Sequence, residues 1–197
     1  MGALGARGGG PAGASGGAAG AGVAPARGLG VSATGDGRSP IDAGAGIGHV
    51  HLKVADLDRA LGFYVGVLGF ELQARMGESA AFVSAGGYHH HIGLNTWQSA
   101  GGAPPPPGHT GLYHVAVLYP SRAALADAVR RVVEAGIPLD GASDHGVSEA
   151  IYLRDPDDIG IEIYRDRPRE EWPRGADGEL QMYTRPLDLR SLMAEGA

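Results

Sequence analysis

From Gly48 onward apolar and polar residues alternate, with Val50, Leu52 and Val54 on one side of an extended run and His49, His51 and Lys53 on the other. Asp56 then opens a stretch in which Leu57, Leu61, Tyr64, Val65 and Leu68 recur at helical spacing, and Gly69 supplies the stop. The same grammar returns downstream. Tyr113-His114-Val115-Ala116-Val117-Leu118-Tyr119 alternates, Ser121 is a capping residue, and Leu125, Val129, Val132 and Val133 form an apolar stripe that ends at Gly136, ahead of Pro138. Shorter strand-like runs come after each helix, at 70–75, 80–84 and 90–96 in the first unit and at 137–139, 150–154 and 159–164 in the second. Each unit reads β-α-β-β-β. The pattern predicts an α+β fold: two tandem βαβββ modules forming a cup-shaped mixed sheet with the helices outside.

Composition limits where this pattern can apply. Residues 1–45 are a Gly/Ala tract broken by Pro11, Pro25 and Pro40, with almost no large apolar side chain, and such a tract is expected to be disordered. The two modules are expected at 46–97 and 111–167, joined by a stiff linker around Pro104–Pro107, with a C-terminal arm over 168–197. That arm reads as a helical docking arm, a lid near the cup, or a surface strap packing Trp172 and Leu187. The chain has no cysteine, which excludes disulfides and thiolate ligands and favours a cytoplasmic setting. A net charge of −6 without a basic stripe argues against nucleic acid, and no apolar run is long enough for a membrane span.

The repeat matters chemically because each copy carries a histidine at the same place. His49 and His114 each stand seven residues before the helix-capping position, on the face that Val50 or Val115 leaves open. Downstream, Ile159, Ile161 and Ile163 pack inward, so Glu162 and Tyr164 project on the histidine side. A lone strand histidine is more often structural than ligating. A carboxylate inside an Ile-rich strand, however, is costly unless its charge is compensated, and a divalent metal does that well. Two imidazoles and one carboxylate leave three faces of an octahedral ion open, the arrangement suited to non-haem Fe(II) and O2 chemistry.

These segments resemble the vicinal oxygen chelate superfamily, which includes glyoxalase I, antibiotic-resistance proteins and extradiol ring-cleaving dioxygenases. The resemblance covers about 47–167 and rests on His49-Val-His-Leu-Lys-Val-Ala-Asp-Leu, His114-Val-Ala-Val, Tyr152-Leu-Arg-Asp-Pro and Gly160-Ile-Glu162-Ile-Tyr. It implies four ligand slots, held here by His49, Gly93, His114 and Glu162. A glyoxalase-like lyase or isomerase needs a Glu or Gln where Gly93 stands, whereas extradiol dioxygenases, the catechol 2,3-dioxygenase-like group in particular, leave that slot empty. The resemblance further implies Tyr152 as the group that hydrogen-bonds a substrate oxygen, His145 as its companion, and His90 as the acid/base residue. Strict alternation puts His89 and His91, rather than His90, on the Gly93 face, so His90 requires a bulge.

The activity implied by the resemblance is extradiol cleavage of a small aromatic diol by O2 at Fe(II), or at Mn(II), which accepts a similar ligand set. A metal-free cup that sequesters a drug or metabolite is the reading from a different class. His51 and Lys53 shape the pocket or line its rim, and His109 is expected to be exposed. Homo-oligomers are common among such small enzymes. One departure is local: the turn after Asp155-Pro156 reads Asp157-Asp158-Ile159-Gly160 where the superfamily usually has Asp-Gly-Asn-Gly, so a residue with a side chain must take a glycine-type conformation.

Overall fold

The computed structural model describes residues 39–195. The expectation for the Gly/Ala tract falls mostly on residues 1–38, outside the described residues. The chain divides into two units at Ala45/Gly46, and in the described part of the first, Asp42 closes a short turn by accepting from Gly44 N at 2.8 Å.

From Gly46 onward the two modules appear in the expected order. Strand β1 (Val50–Lys53) leads into α1 (Leu57–Leu61), which continues as a π-helical stretch over Gly62–Val67. β2 (Glu71–Met76), β3 (Ala80–Ser84) and β4 (Ile92–Asn95) complete a sheet of order β1-β4-β3-β2, with β1 and β4 parallel. Module two repeats this with β5 (Val115–Leu118), α2 (Arg122–Glu134), β6 (Leu139–Asp144), β7 (Ser148–Arg154) and β8 (Gly160–Asp166). Its sheet has the order β5-β8-β7-β6-β9, with β5 parallel to β8 and an added strand β9 (Arg185–Pro186). The fold is therefore α+β, made of two βαβββ modules.

Local chemistry sets the helix limits. Asp56 accepts from Arg59 N at 2.8 Å and Ser121 accepts from Ala124 N at 3.1 Å, each satisfying one orphan donor of its helix. Gly69 and Gly136 leave the helices in the left-handed region, at φ 82° and 71°. Leu125, Val129 and Val132 are fully buried, but Val133 is 45% exposed and lies outside the stripe assigned to it. Strand β6 also differs from expectation, running Leu139–Asp144 instead of 137–139. Asp140-Gly-Ala-Ser-Asp144 has no apolar alternation to announce a strand; its ladder comes from β7 on one side and β9 on the other.

One apolar cluster spans both modules, from Leu52, Tyr64 and Leu94 to Leu125, Ile151 and Ile163. Polar contacts from the β7–β8 turn reinforce it. Asp157 accepts from Ala55 N at 3.1 Å and pairs with Arg59, and the buried Tyr64 hydroxyl donates to Asp155 Oδ2 at 3.0 Å. Burial, then the Asp155 carboxylate, hold the Tyr64 phenol well above its ordinary pKa. Burial also raises Asp155, although Ile159 N, Asp157 N and Tyr64 all donate to it. A buried acid so satisfied is a strut rather than a liability.

The C-terminal arm docks on module two. Helix α3 (Leu189–Met193) packs on α2 with Leu192 fully buried, and Leu187 joins the same core. Arg122 on α2 reaches Glu195 at 2.7 Å and the buried Glu149 at 3.1 Å; Arg165 meets Glu149 at 2.9 Å. Trp172 Nε1 donates to Arg167 O at 2.8 Å. Among the described residues no helix is long and apolar enough to cross a membrane.

The predicted turn residue is Asp158, whose φ of 63° is the sole positive value among the described non-glycine residues. Asp158→Gly is expected to stabilise the fold by about 0.5–1 kcal/mol, the left-handed penalty less the entropy cost of glycine. Urea unfolding checks this, and a lowered midpoint would show that the turn depends on the Asp158 side chain.

Candidate metal and catalytic site

Strand pairing places the module-two candidates together. Ala116 stands opposite Glu162 on β5–β8, and Glu162 opposite Tyr152 on β8–β7, so the carboxylate and the phenol occupy one face. His114, just before β5, reaches Glu162 with Nε2 2.8 Å from Oε2. Its approach depends on Gly160: a Cβ there would lie 2.1 Å from Tyr113 O and 3.1 Å from His114 Cβ. Beside this pair, Tyr152 Oη is 2.7 Å from His145 Nε2. Burial, then the Glu162 carboxylate, push the Tyr152 phenol up to about 12, so it is protonated at neutral pH.

Module one brings its own histidines together. β4 begins only at Ile92, so residues 88–91 form a loop and His90 needs no bulge to reach the open face. Its ring centroid lies 4.4 Å from His49 and 5.1 Å from Phe82, which pairs with Gly93. His89 Nδ1 is 2.7 Å from His90 Nδ1, so one of the two carries the shared proton. Desolvation, then the imidazoles of His49, His89, His51 and His91, hold His90 below the ordinary histidine value, which favours the neutral form able to take up a proton. His91 instead stacks on Tyr88 at 4.8 Å.

His51 has a role that alternation alone does not reveal. Opposite Gly93 on the ladder, its ring fills the space a side chain would need, with Cδ2 2.9 Å from an added Cβ, and it stands 5.5 Å from Trp97 and 5.9 Å from Phe82. The space beside Gly93 is thus filled by an aromatic wall. Lys53, on the same side of β1, is exposed, as is His109.

Between edge strands β1 and β5 lies a cleft of about 660 Å3 lined by His49, His91 and His114 among Phe70, Ile92, Val115 and Val117. Of the three candidate ligands, His49 and His114 line this cleft and Glu162 does not; His114 also lines a smaller cavity of about 240 Å3 with Tyr152. As placed, no group of three His, Asp or Glu side chains among the described residues stands close enough to hold a metal. His114 and Glu162 do fit one. Two donors each about 2.1 Å from an ion and at right angles are about 3 Å apart, close to the 2.8 Å observed. The other ring nitrogen, His114 Nδ1, is buried with no partner, a costly condition for a polar atom. His49 lines the cleft with His114 but does not join that pair as placed.

Residues 46–163 match the Glyoxalase/Bleomycin resistance protein/Dioxygenase superfamily, and the chain belongs to that family. Over 149 residues it is 41% identical to catechol-2,3-dioxygenase of Bacillus subtilis, covering 76% of this chain and 51% of that protein. It is 27% identical over 120 residues to biphenyl-2,3-diol 1,2-dioxygenase 3 of Rhodococcus globerulus, covering 61% and 63%. The chain thus spans between about half and under two thirds of the length of these relatives. The crystal structure of a glyoxalase/dioxygenase from Nostoc punctiforme shares the fold, with a TM-score of 0.55 at 21% identity over 66% of this chain and 99% of that one.

The acids that tie the modules, Asp155 and Asp157, and the buried Glu149 escape a reading of the sequence. Their partners lie far along the chain, and only a charge in an otherwise apolar stretch, as at Glu149, offers a local signal.

Gly160 and Gly93 should respond differently to a methyl group. Gly160→Ala drives Cβ into backbone and is expected to cost about 1–3 kcal/mol. Gly93→Ala meets only the turnable His51 ring and is expected to cost less than about 1 kcal/mol. Equal losses in urea unfolding would mean that β8 does not approach Tyr113 as closely as described.

Proposed function

We propose that this protein is an extradiol dioxygenase that opens the ring of a catechol-type diol with O2, using Fe(II) held by His49, His114 and Glu162. The observation that carries the reading is the 2.8 Å approach of His114 to Glu162 on the same face as the Tyr152–His145 pair. The 41% identity to a catechol-2,3-dioxygenase supports it. When bound, iron would supply the redox coupling between diol and O2, and Mn(II) suits the same donor set.

The chain's own residues divide the remaining work. Apolar side chains of the cleft, Phe70, Val115 and Val117 among them, exclude water from an aromatic ring. Tyr152, protonated at neutral pH, hydrogen-bonds a substrate hydroxyl through its own oxygen, with His145 behind it. His90, neutral beside His49, would take and return a proton. Gly93 has no side chain to ligate, which weighs against a glyoxalase-like lyase or isomerase.

Anaerobically prepared protein given Fe(II) is expected to consume O2 with a panel of catechols and form a yellow ring-fission product. Tyr152→Phe should lower kcat by about 100-fold, and Glu162→Ala should abolish turnover. Stoichiometric iron without O2 uptake across the panel would overturn the dioxygenase reading.

A further inference from the structure

After β8 the chain leaves module two and then returns to it beside His145. β9 pairs with β6 at Arg185↔Asp144 and Pro186↔Ser143, and Tyr183 N donates to His145 O at 3.3 Å. Contact is close enough that the next residue must be glycine. Gly146 has φ 79°, and a Cβ on it would lie 2.7 Å from the Tyr183 ring and 2.8 Å from Pro173. Arg185 in turn covers the Tyr183 ring at 4.1 Å.

The arm also reaches the side chain. His145 Nδ1 is 2.9 Å from the Tyr183 carbonyl oxygen, while Nε2 is 2.7 Å from the Tyr152 hydroxyl. A carbonyl only accepts, so Nδ1 carries the proton. A neutral imidazole has one N–H, which leaves Nε2 bare; at 2.7 Å two facing lone pairs would repel, so the Tyr152 hydrogen lies toward His145 rather than toward the neighbouring Glu162 carboxylate. The alternative is a bare Nδ1 accepting from Thr184 Oγ1 at 3.3 Å. That arrangement turns a lone pair toward the carbonyl at the shorter distance, so it is the poorer one.

We propose that the C-terminal arm is a positioning element for the active site: the Tyr183 carbonyl fixes His145 in its Nδ1–H tautomer, which commits the Tyr152 hydroxyl hydrogen to His145 and presents the Tyr152 oxygen as an acceptor. A substrate hydroxyl therefore meets a lone pair rather than a competing hydrogen. The catalytic consequence rests on the dioxygenase reading; the tautomer does not. Tyr183 acts through its backbone, with its ring serving to hold that backbone against Gly146.

The test is ring nitrogen NMR of the full, ligand-free chain labelled with 15N-histidine, the His145 signals assigned by His145→Gln. The expected spectrum shows Nδ1 protonated and Nε2 bare, unchanged by Thr184→Val and shifted toward Nε2–H by Tyr183→Gly. An Nε2–H tautomer in the unaltered protein, or one that flips with Thr184→Val, would overturn the proposal. In the oxygen-uptake assay Tyr183→Gly should lower kcat about 10-fold to 100-fold with little change in KM; unaltered kcat would overturn the positioning role. Should no catechol be turned over while the Nδ1–H tautomer is found, the dioxygenase reading fails and the tautomer assignment stands.

Discussion

The two modules become one scaffold through the β7–β8 turn. Asp155 and Asp157 reach from that turn to Tyr64, Arg59 and Ala55 N of module one, groups 91 to 102 residues away in the chain. Each carboxylate is largely withdrawn from water, at 5% and 9% exposure, and each is held by several donors, so neither can be moved without leaving a buried charge unpaired. The same turn bears the left-handed Asp158 and then Gly160, whose missing Cβ lets β8 pass against Tyr113 and His114. Glu162 comes two residues later. The clasp therefore fixes the modules and also sets where the carboxylate meets the imidazole.

With the turn held, the candidate residues divide between two sheets. Module two contributes His114, Glu162, Tyr152 and His145, already in contact with one another in pairs. Module one contributes His49 and His90, with the His51 ring laid over Gly93. The cleft lies between the edge strands of the two sheets, so His49 and His114, which both line it, come from different modules. The cleft thus opens between modules while each sheet keeps its own hydrogen-bond ladder. The arm then closes over the far side of module two, where Arg122 ties α2 to both Glu149 and Glu195.

Much of this is legible in the sequence because it is written in local periods. Alternation puts His49, His51, His114 and Glu162 on the open faces, and Asp56, Ser121, Gly69 and Gly136 bound the helices by side-chain capping and positive φ. The departure at Asp158 also comes from turn chemistry. The features that escape have no local period. β6 is a strand because β7 and β9 flank it, not because Gly141, Ala142 and Ser143 favour one. Alternation is the wrong rule for His90, which precedes its strand, and the second half of α1 passes into a π-helix without a residue type to announce it. The Tyr183 carbonyl, being backbone, carries no sequence signature at all.

Anaerobic calorimetric titration of Fe(II) into the metal-free protein tests the central claim most directly, since it measures the ligand set without requiring the right substrate. One equivalent should bind to the unaltered chain, and His49→Ala, His114→Ala and Glu162→Ala should each weaken binding by at least about 10-fold, while Asp140→Ala should not. Binding that survives all three ligand substitutions, or no binding in the unaltered protein, would contradict a site built by joining His49 of one module to His114 and Glu162 of the other.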